Sequence, residues 1–172
     1  MIVSLLTLAT LSFFPALMAF SASSDIFSMK ISNRVSIALA VFYPALALGL
    51  GVPLPAILAN LACGAAMLCL TFLLFTRGWI GGGDAKLAAA TAPWLGWALM
   101  LDYGLLASIA GGALTLAIVL ARRAPLPAWA ARLAWIARLH DPDNGVPYGV
   151  ALAAAGLALY PSSHIWRAAT GL

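Results

Sequence analysis

Glutamate is absent from this chain, and with it go the H-E-x-x-H zinc motif and every membrane site built on paired glutamates. The acids are Asp25, Asp84, Asp102, Asp141 and Asp143, so any acid chemistry must be drawn from these. Histidine occurs only at positions 140 and 164, and cysteine only at 63 and 69. The two cysteines lie in one apolar run without C-x-x-C spacing or nearby histidines, which argues against a zinc site and for packing. No metal ligands and no cofactor are expected. Charge is scarce too: 8% of the residues are charged and 64% are hydrophobic, far outside the range of a soluble domain. A net charge of +4 would suit nucleic acid, but the basic residues sit beside apolar segments and read as topology signals. The expected surroundings are a lipid bilayer, not nucleic acid.

What the chain has is apolar runs long enough to span, given a rise of about 1.5 Å per helical residue and a hydrocarbon core of about 30 Å. Six are read: residues 2–20, 35–50, 55–75, 85–101, 105–120 and 146–160. Residues 121–145 form the one sizeable polar connection. The first run resembles a signal peptide, with Ser21-Ala22-Ser23 behind it. No Lys or Arg precedes it, however, while Lys30 and Arg34 follow, so it reads as a retained helix with an outside N-terminus. Placed that way, Lys30, Arg34, Arg77, Lys86, Arg122, Arg123, Arg132 and Arg138 all fall on the cytoplasmic side and only Arg167 falls outside. The expected fold is therefore an all-α integral membrane bundle of six transmembrane helices with both termini non-cytoplasmic. Residues 1–172 are expected to form a single membrane-embedded domain.

Two acids stand out against this frame. In Ile80-Gly81-Gly82-Gly83-Asp84-Ala85-Lys86-Leu87 three glycines bare the backbone, and Asp84 reads as the N-cap of the helix that follows. Asp25 follows the first span directly. The chain crosses the membrane twice between them, so both carboxylates return to one leaflet. Each alone can be a helix cap. Two acids at one depth instead suggest a dyad sharing one proton, in which the charged member activates water and the protonated member donates to a scissile carbonyl. The helix dipole favours charge on Asp84, which makes it the expected base and Asp25 the expected proton donor.

The remaining polar features have plainer readings. Trp129, Leu133, Ile136 and His140 recur at helical spacing within residues 121–145, as in a short helix lying on the membrane surface or a simple tether. Asp141-Pro142-Asp143-Asn144-Gly145 begins like a calcium loop but lacks the distal glutamate, which leaves a turn. A different class stays open: a small transporter or structural membrane protein using Asp25 and Asp84 as ion ligands or caps. Against it, the spans offer mainly Asn60, Thr71, Thr91, Ser108 and Thr115 as polar residues and no buried charge.

Asp25-Ile26-Phe27-Ser28-Met29-Lys30-Ile31-Ser32-Asn33, the Gly81-to-Leu87 block and Pro147-Tyr148-Gly149-Val150-Ala151-Leu152 together resemble the type IV prepilin peptidases, aspartyl peptidases of the G-x-G-D class. The likeness is to the small form serving Flp, or tight-adherence, pili, which lacks a methyltransferase region. It implies Asp25 and Asp84 as catalytic residues. It implies Gly81, Gly82, Gly83, Lys86, Lys30 and Asn33 as substrate-binding or supporting positions. The family commonly has Pro before the asparagine, where this chain has Ser32. The implied substrate is a prepilin precursor with a basic leader and a hydrophobic segment, cut at the cytoplasmic face of a bacterial plasma membrane. Related precursors, such as archaellins or pseudopilins, are the enzymatic alternative.

Overall fold

A short helix enclosed on nearly every side organises the molecule. The computed structural model describes residues 2–171, and among them there is no strand. The helices are α1 (Ile2–Ser28), α2 (Asn33–Gly49), α3 (Leu54–Thr76), α4 (Gly82–Leu95), α5 (Met100–Ala121), α6 (Ala128–Ala131), α7 (Ala134–His140), α8 (Tyr148–Leu159) and α9 (His164–Thr170). Ten of the 14 residues of α4 are buried. Five of the ten are alanines, whose small side chains let α2, α3 and α8 pack closely around the helix. Around it, α3, α5 and α1 turn apolar side chains outward, among them Leu68, Phe72, Leu73, Leu101, Leu105 and Ile109. That arrangement suits lipid, where an apolar exterior costs nothing.

By length and composition, Leu5–Ser28, Leu54–Thr76 and Trp97–Ala121 can cross a membrane, and Asn33–Gly49 and Tyr148–Ser162 are shorter apolar helices. As helices, the runs at 35–50 and 55–75 coincide closely with α2 and α3, with Pro53 and Pro55 at the start of α3 as proline's fixed φ favours.

Other boundaries differ from expectation. Helix α1 runs to Ser28 instead of stopping at residue 20, so Asp25 lies in its last turn and not beyond it. The fourth expected span, 85–101, breaks early. Helix α4 ends at Leu95, Gly96 takes φ 74°, and the 3₁₀ turn Trp97–Leu99 leads into α5. Asp102-Tyr103-Gly104, which fall in the gap between the expected spans 85–101 and 105–120, lie inside α5, with Tyr103 buried. At 14 residues α4 is only about 21 Å long, too short for a hydrocarbon core of about 30 Å. The expected surface helix is two pieces, α6 and α7, separated by Arg132 and Leu133.

The far end of α4 is held by aromatic packing. Trp94 is 1% exposed, its ring meets Phe14 at 5.2 Å and Tyr43 at 5.7 Å, and its Nε1 donates to the Leu39 carbonyl at 3.0 Å. Thr71 Oγ1 donates to the Ala85 carbonyl at 3.1 Å and ties the near end to α3. Helix α4 thus acts as a strut fixed at Trp94 and presenting Asp84 at its other end.

Candidate active site

Asp25 and Asp84 line one cavity of about 350 Å3, together with Met29, Lys30, Ile31, Gly81, Gly82 and Gly83. The volume falls within the range of about 300–1,000 Å3 found for small-ligand sites. Two chain segments build it, the end of α1 with its exit to α2, and the glycine stretch that opens α4.

Asp25 is 6% exposed. Its Oδ2 accepts the Gly149 backbone N–H at 2.8 Å, a bond from the first turn of α8. A serine-rich stretch stays helical up to Asp25 because its hydroxyls bond back to α1 itself: Ser21 to the Leu17 carbonyl at 2.8 Å, Ser23 to Ala19 at 2.8 Å and Ser28 to Ser24 at 2.7 Å. The chain then leaves α1 through Met29, which takes φ 54°, a left-handed value that costs a non-glycine residue about 1–2 kcal/mol. Arg138 Nη1 donates to the Phe27 carbonyl at 2.6 Å, and Trp135 packs edge-on against Phe27 at 5.5 Å. Helix α7 therefore clamps the turn that carries Asp25.

Asp84 is not the N-cap. Gly81 occupies that position, and Asp84 is the third helical residue, placed to reach back to the cap as the last member of a capping box does. A Cβ on Gly81 would lie 2.8 Å from Asp84 Oδ2, so the bare backbone is what admits the carboxylate. The other carboxylate has a matching glycine, since a Cβ on Gly149 would lie 2.7 Å from Asp25 Oδ2. Between the two, Ile31 fills the space against both Gly83 and Gly149.

The electrostatics of Asp84 include more than the helix dipole. Loss of hydration, followed by the neighbouring Asp25 carboxylate, pushes the Asp84 carboxyl from 3.8 up to about 7, with the Gly81 N–H opposing. Burial and a like charge outweigh the favourable helix terminus.

Of the supporting positions, Lys30 and the three glycines line the cavity. Asn33 and Lys86 do not. They bond to each other, Lys86 Nζ donating to Asn33 Oδ1 at 3.0 Å, at the mouth of an adjoining groove. Three contributors had no individual signal in sequence: Gly149 as donor, Ile31 as filler and Met29 as the left-handed exit. The Pro147-Tyr148-Gly149 block pointed to the neighbourhood of the first without naming its task. Among the described residues no cluster of three or more His, Cys or Asp groups is placed to hold a metal.

Comparison with curated proteins returned no match, and neither did comparison with solved structures. The family model of the type IV leader peptidase family does match, over residues 12–116, a stretch that contains both Asp25 and Asp84. Covering more than half of an all-helical chain with three candidate membrane spans, that match makes the protein a member of the type IV leader peptidase family.

Proposed function

We propose that the protein is a membrane aspartyl endopeptidase that removes the basic leader from prepilin precursors of the type IV or Flp class. The observation that carries this reading is the pair of carboxylates, Asp25 and Asp84, on one cavity beside exposed glycine backbone. In the proposed reaction Asp84 holds the shared proton near neutral pH, and Asp25 is the ionised partner. Asp25 takes a proton from water as the oxygen attacks the scissile carbonyl carbon, and Asp84 gives its proton to the carbonyl oxygen. Collapse of the gem-diol breaks the C–N bond. Asp25 then passes its proton to the departing amine, and Asp84 recovers one from the diol. The proposal reverses the roles expected from the helix dipole: burial beside a second acid favours the neutral form of Asp84, and the Gly149 N–H on Asp25 Oδ2 favours charge on its partner.

Lys30 and the glycine stretch serve the substrate in this proposal, the glycine backbone pairing with an extended peptide as an added strand would. A leader bearing Lys or Arg stays cytoplasmic while its apolar continuation enters the bilayer, which brings the bond between them to the depth of the pair. The proposal includes a single domain whose chain passes between the two faces of the plasma membrane six times, the short α4 doing so enclosed by its neighbours and not against lipid, with the site on the cytoplasmic side and both termini opposite.

It also includes peptidase activity without methylation of the new N-terminus. The connection between α1 and α2 carries no cysteine, and residues 121–145 fall below the roughly 40 at which domains begin to fold without staples. The deciding experiment gives purified protein a panel of leader-bearing precursors with S-adenosylmethionine, with and without a chelator, and reads the products by mass spectrometry. One cut between leader and apolar segment, an unmethylated amine and indifference to the chelator are expected. No cut in any precursor refutes the proposal.

A further inference from the structure

Beside the dyad cavity lies a second hollow, a groove of about 440 Å3. Helices α2 and α3 both lean on α4 and touch each other little, which leaves a trough between them. Its floor is Ala89 and Ala90 of α4, and its walls include Ile37 and Ala40 of α2 with Ala65 and Leu68 of α3. We infer that this groove seats the apolar segment of the substrate immediately beyond the bond to be cut. The inference rests on the peptidase reading above and deepens it.

Continuity is the first argument. Residues 29–31 and 81–84 line the dyad cavity, and the helices that follow them, α2 and α4, line the groove. The Lys86–Asn33 bond marks the junction. From Lys86, two residues past Asp84, the groove follows α4 to Pro93, a descent of about 10 Å. A chain with its scissile bond at the dyad and its leader in the cytoplasm therefore enters the groove as it enters the membrane.

The chemistry of the groove wall also favours a peptide. Ser36 lines the groove, and its Oγ is shielded from solvent with no hydrogen-bond partner among the described residues. An unpaired hydroxyl in such surroundings is unfavourable, and a lipid acyl chain has nothing to offer it. A turn of the serine side chain about χ1 would present that hydroxyl to the groove, where the backbone of a peptide still partly extended after the cleavage point has both donors and acceptors. The small floor residues, Ala89 and Ala90, let such a backbone come close.

Two measurements test this. In the first, Ala40→Phe and Ala65→Phe, both at exposed positions, narrow the groove. Each is expected to raise KM for the full precursor about tenfold, and to lower by the same factor the ratio of its kcat/KM to that of a short peptide ending just past the bond. Ile109→Phe, on the outer face of α5, is expected to leave both constants alone. In the second, Ala65→Cys is placed in a Cys63→Ala, Cys69→Ala, Asp84→Asn chain. Oxidised with a precursor bearing one cysteine in its apolar segment, it is expected to form a disulfide that cysteine-free precursor competes away. Cross-linking of two copies of the chain instead, no cross-link to precursor, or equal loss on both substrates would overturn the groove assignment. Wild-type protein that cuts no precursor removes the peptidase reading and this inference together. Wild-type cleavage with unaltered KM in both filled variants removes the inference alone.

Discussion

The Gly149 backbone N–H donates to Asp25 Oδ2 at 2.8 Å, across 124 positions of sequence. A methyl group on Gly149 would sit 2.7 Å from that same oxygen and 2.6 Å from Ile31 Cδ1, so the carboxylate and Ile31 would both have to move. Gly149→Ala is expected to lower kcat on precursor by about a hundredfold, the scale set by an ångström of misplacement. Protein level in the membrane should hold. Near-wild-type turnover in this variant would mean that the Asp25 position is not critical.

Asp25→Asn and Asp84→Asn should each lower cleavage by about a thousandfold or more, since each removes one half of the acid–base work. Asp102→Asn and Asp143→Asn should cleave as the parent does. Asp102 is in the first turn of α5, and Asp143 lies in the turn where its N–H bonds Asp141. Cleavage time courses on the four variants, normalised to membrane content, decide the matter.

The raised Asp84 carboxyl has a pH signature in both rate and stability. Its value is about 7 in the folded chain against 3.8 ordinarily, so between these limits the folded state holds a proton that the unfolded state has released. Its contribution to stability is therefore fully present below about pH 4, declines as the pH rises, and is lost once the folded carboxyl ionises near 7. Melting of the wild-type protein should fall over that window relative to Asp84→Asn, which has no charge to gain. Cleavage by the wild type should fade above about pH 7 as the proton donor is lost. A rate that kept rising through pH 9 would contradict Asp84 as the donor.

Two adjacent glycines on α5 should behave oppositely. A Cβ on Gly111 would run into the Tyr148 ring, whereas a Cβ on Gly112 meets nothing within 4 Å. Tyr148 is further tied to α5 by its hydroxyl, which donates to the Ala107 carbonyl at 3.1 Å. Gly111→Ala should destabilise by about 1–3 kcal/mol and, by shifting the start of α8, weaken cleavage. Gly112→Ala should be neutral or slightly stabilising, because alanine is the better helix former. Thermal melting in detergent checks both.

Much of this was readable from residue types alone, and the misses have physical causes. The expected topology puts Asp25 and Asp84 on one side, and in the structure both line one cavity. Proline at the start of α3 marked that boundary because its fixed φ leaves few alternatives. The end of α1 was misplaced because serines favour turns in water, whereas here their hydroxyls bond back to the preceding helical turn. Hydropathy places the break after the fourth run at residues 102–104, between 85–101 and 105–120. Packing decided otherwise, burying Tyr103 in a helix and bending the chain at Gly96, where a Cβ would lie 2.9 Å from Asn60 Oδ1. Lys86 and Asn33 were expected as supporting positions near the pair, but local order in sequence could not reveal that they face the neighbouring groove. A backbone donor such as Gly149 has no side-chain signature at all.

The clamp on the end of α1 also bears on the order in which the protein is made. Arg138 and Gly149 stand 111 and 124 positions beyond the groups they hold, Phe27 and Asp25. A chain leaving the ribosome N-terminus first carries Asp25 into the bilayer well before either tie exists, and Asp84 follows while α8 is still unmade. Until α8 is made and packed against α1, the first carboxylate lacks its backbone donor and its glycine neighbour. On the proposed mechanism an unfinished chain is thus harmless to other membrane proteins during insertion. A nascent chain stalled just before Val146, with both aspartates already present, should cut no precursor, and its release to full length should switch cleavage on.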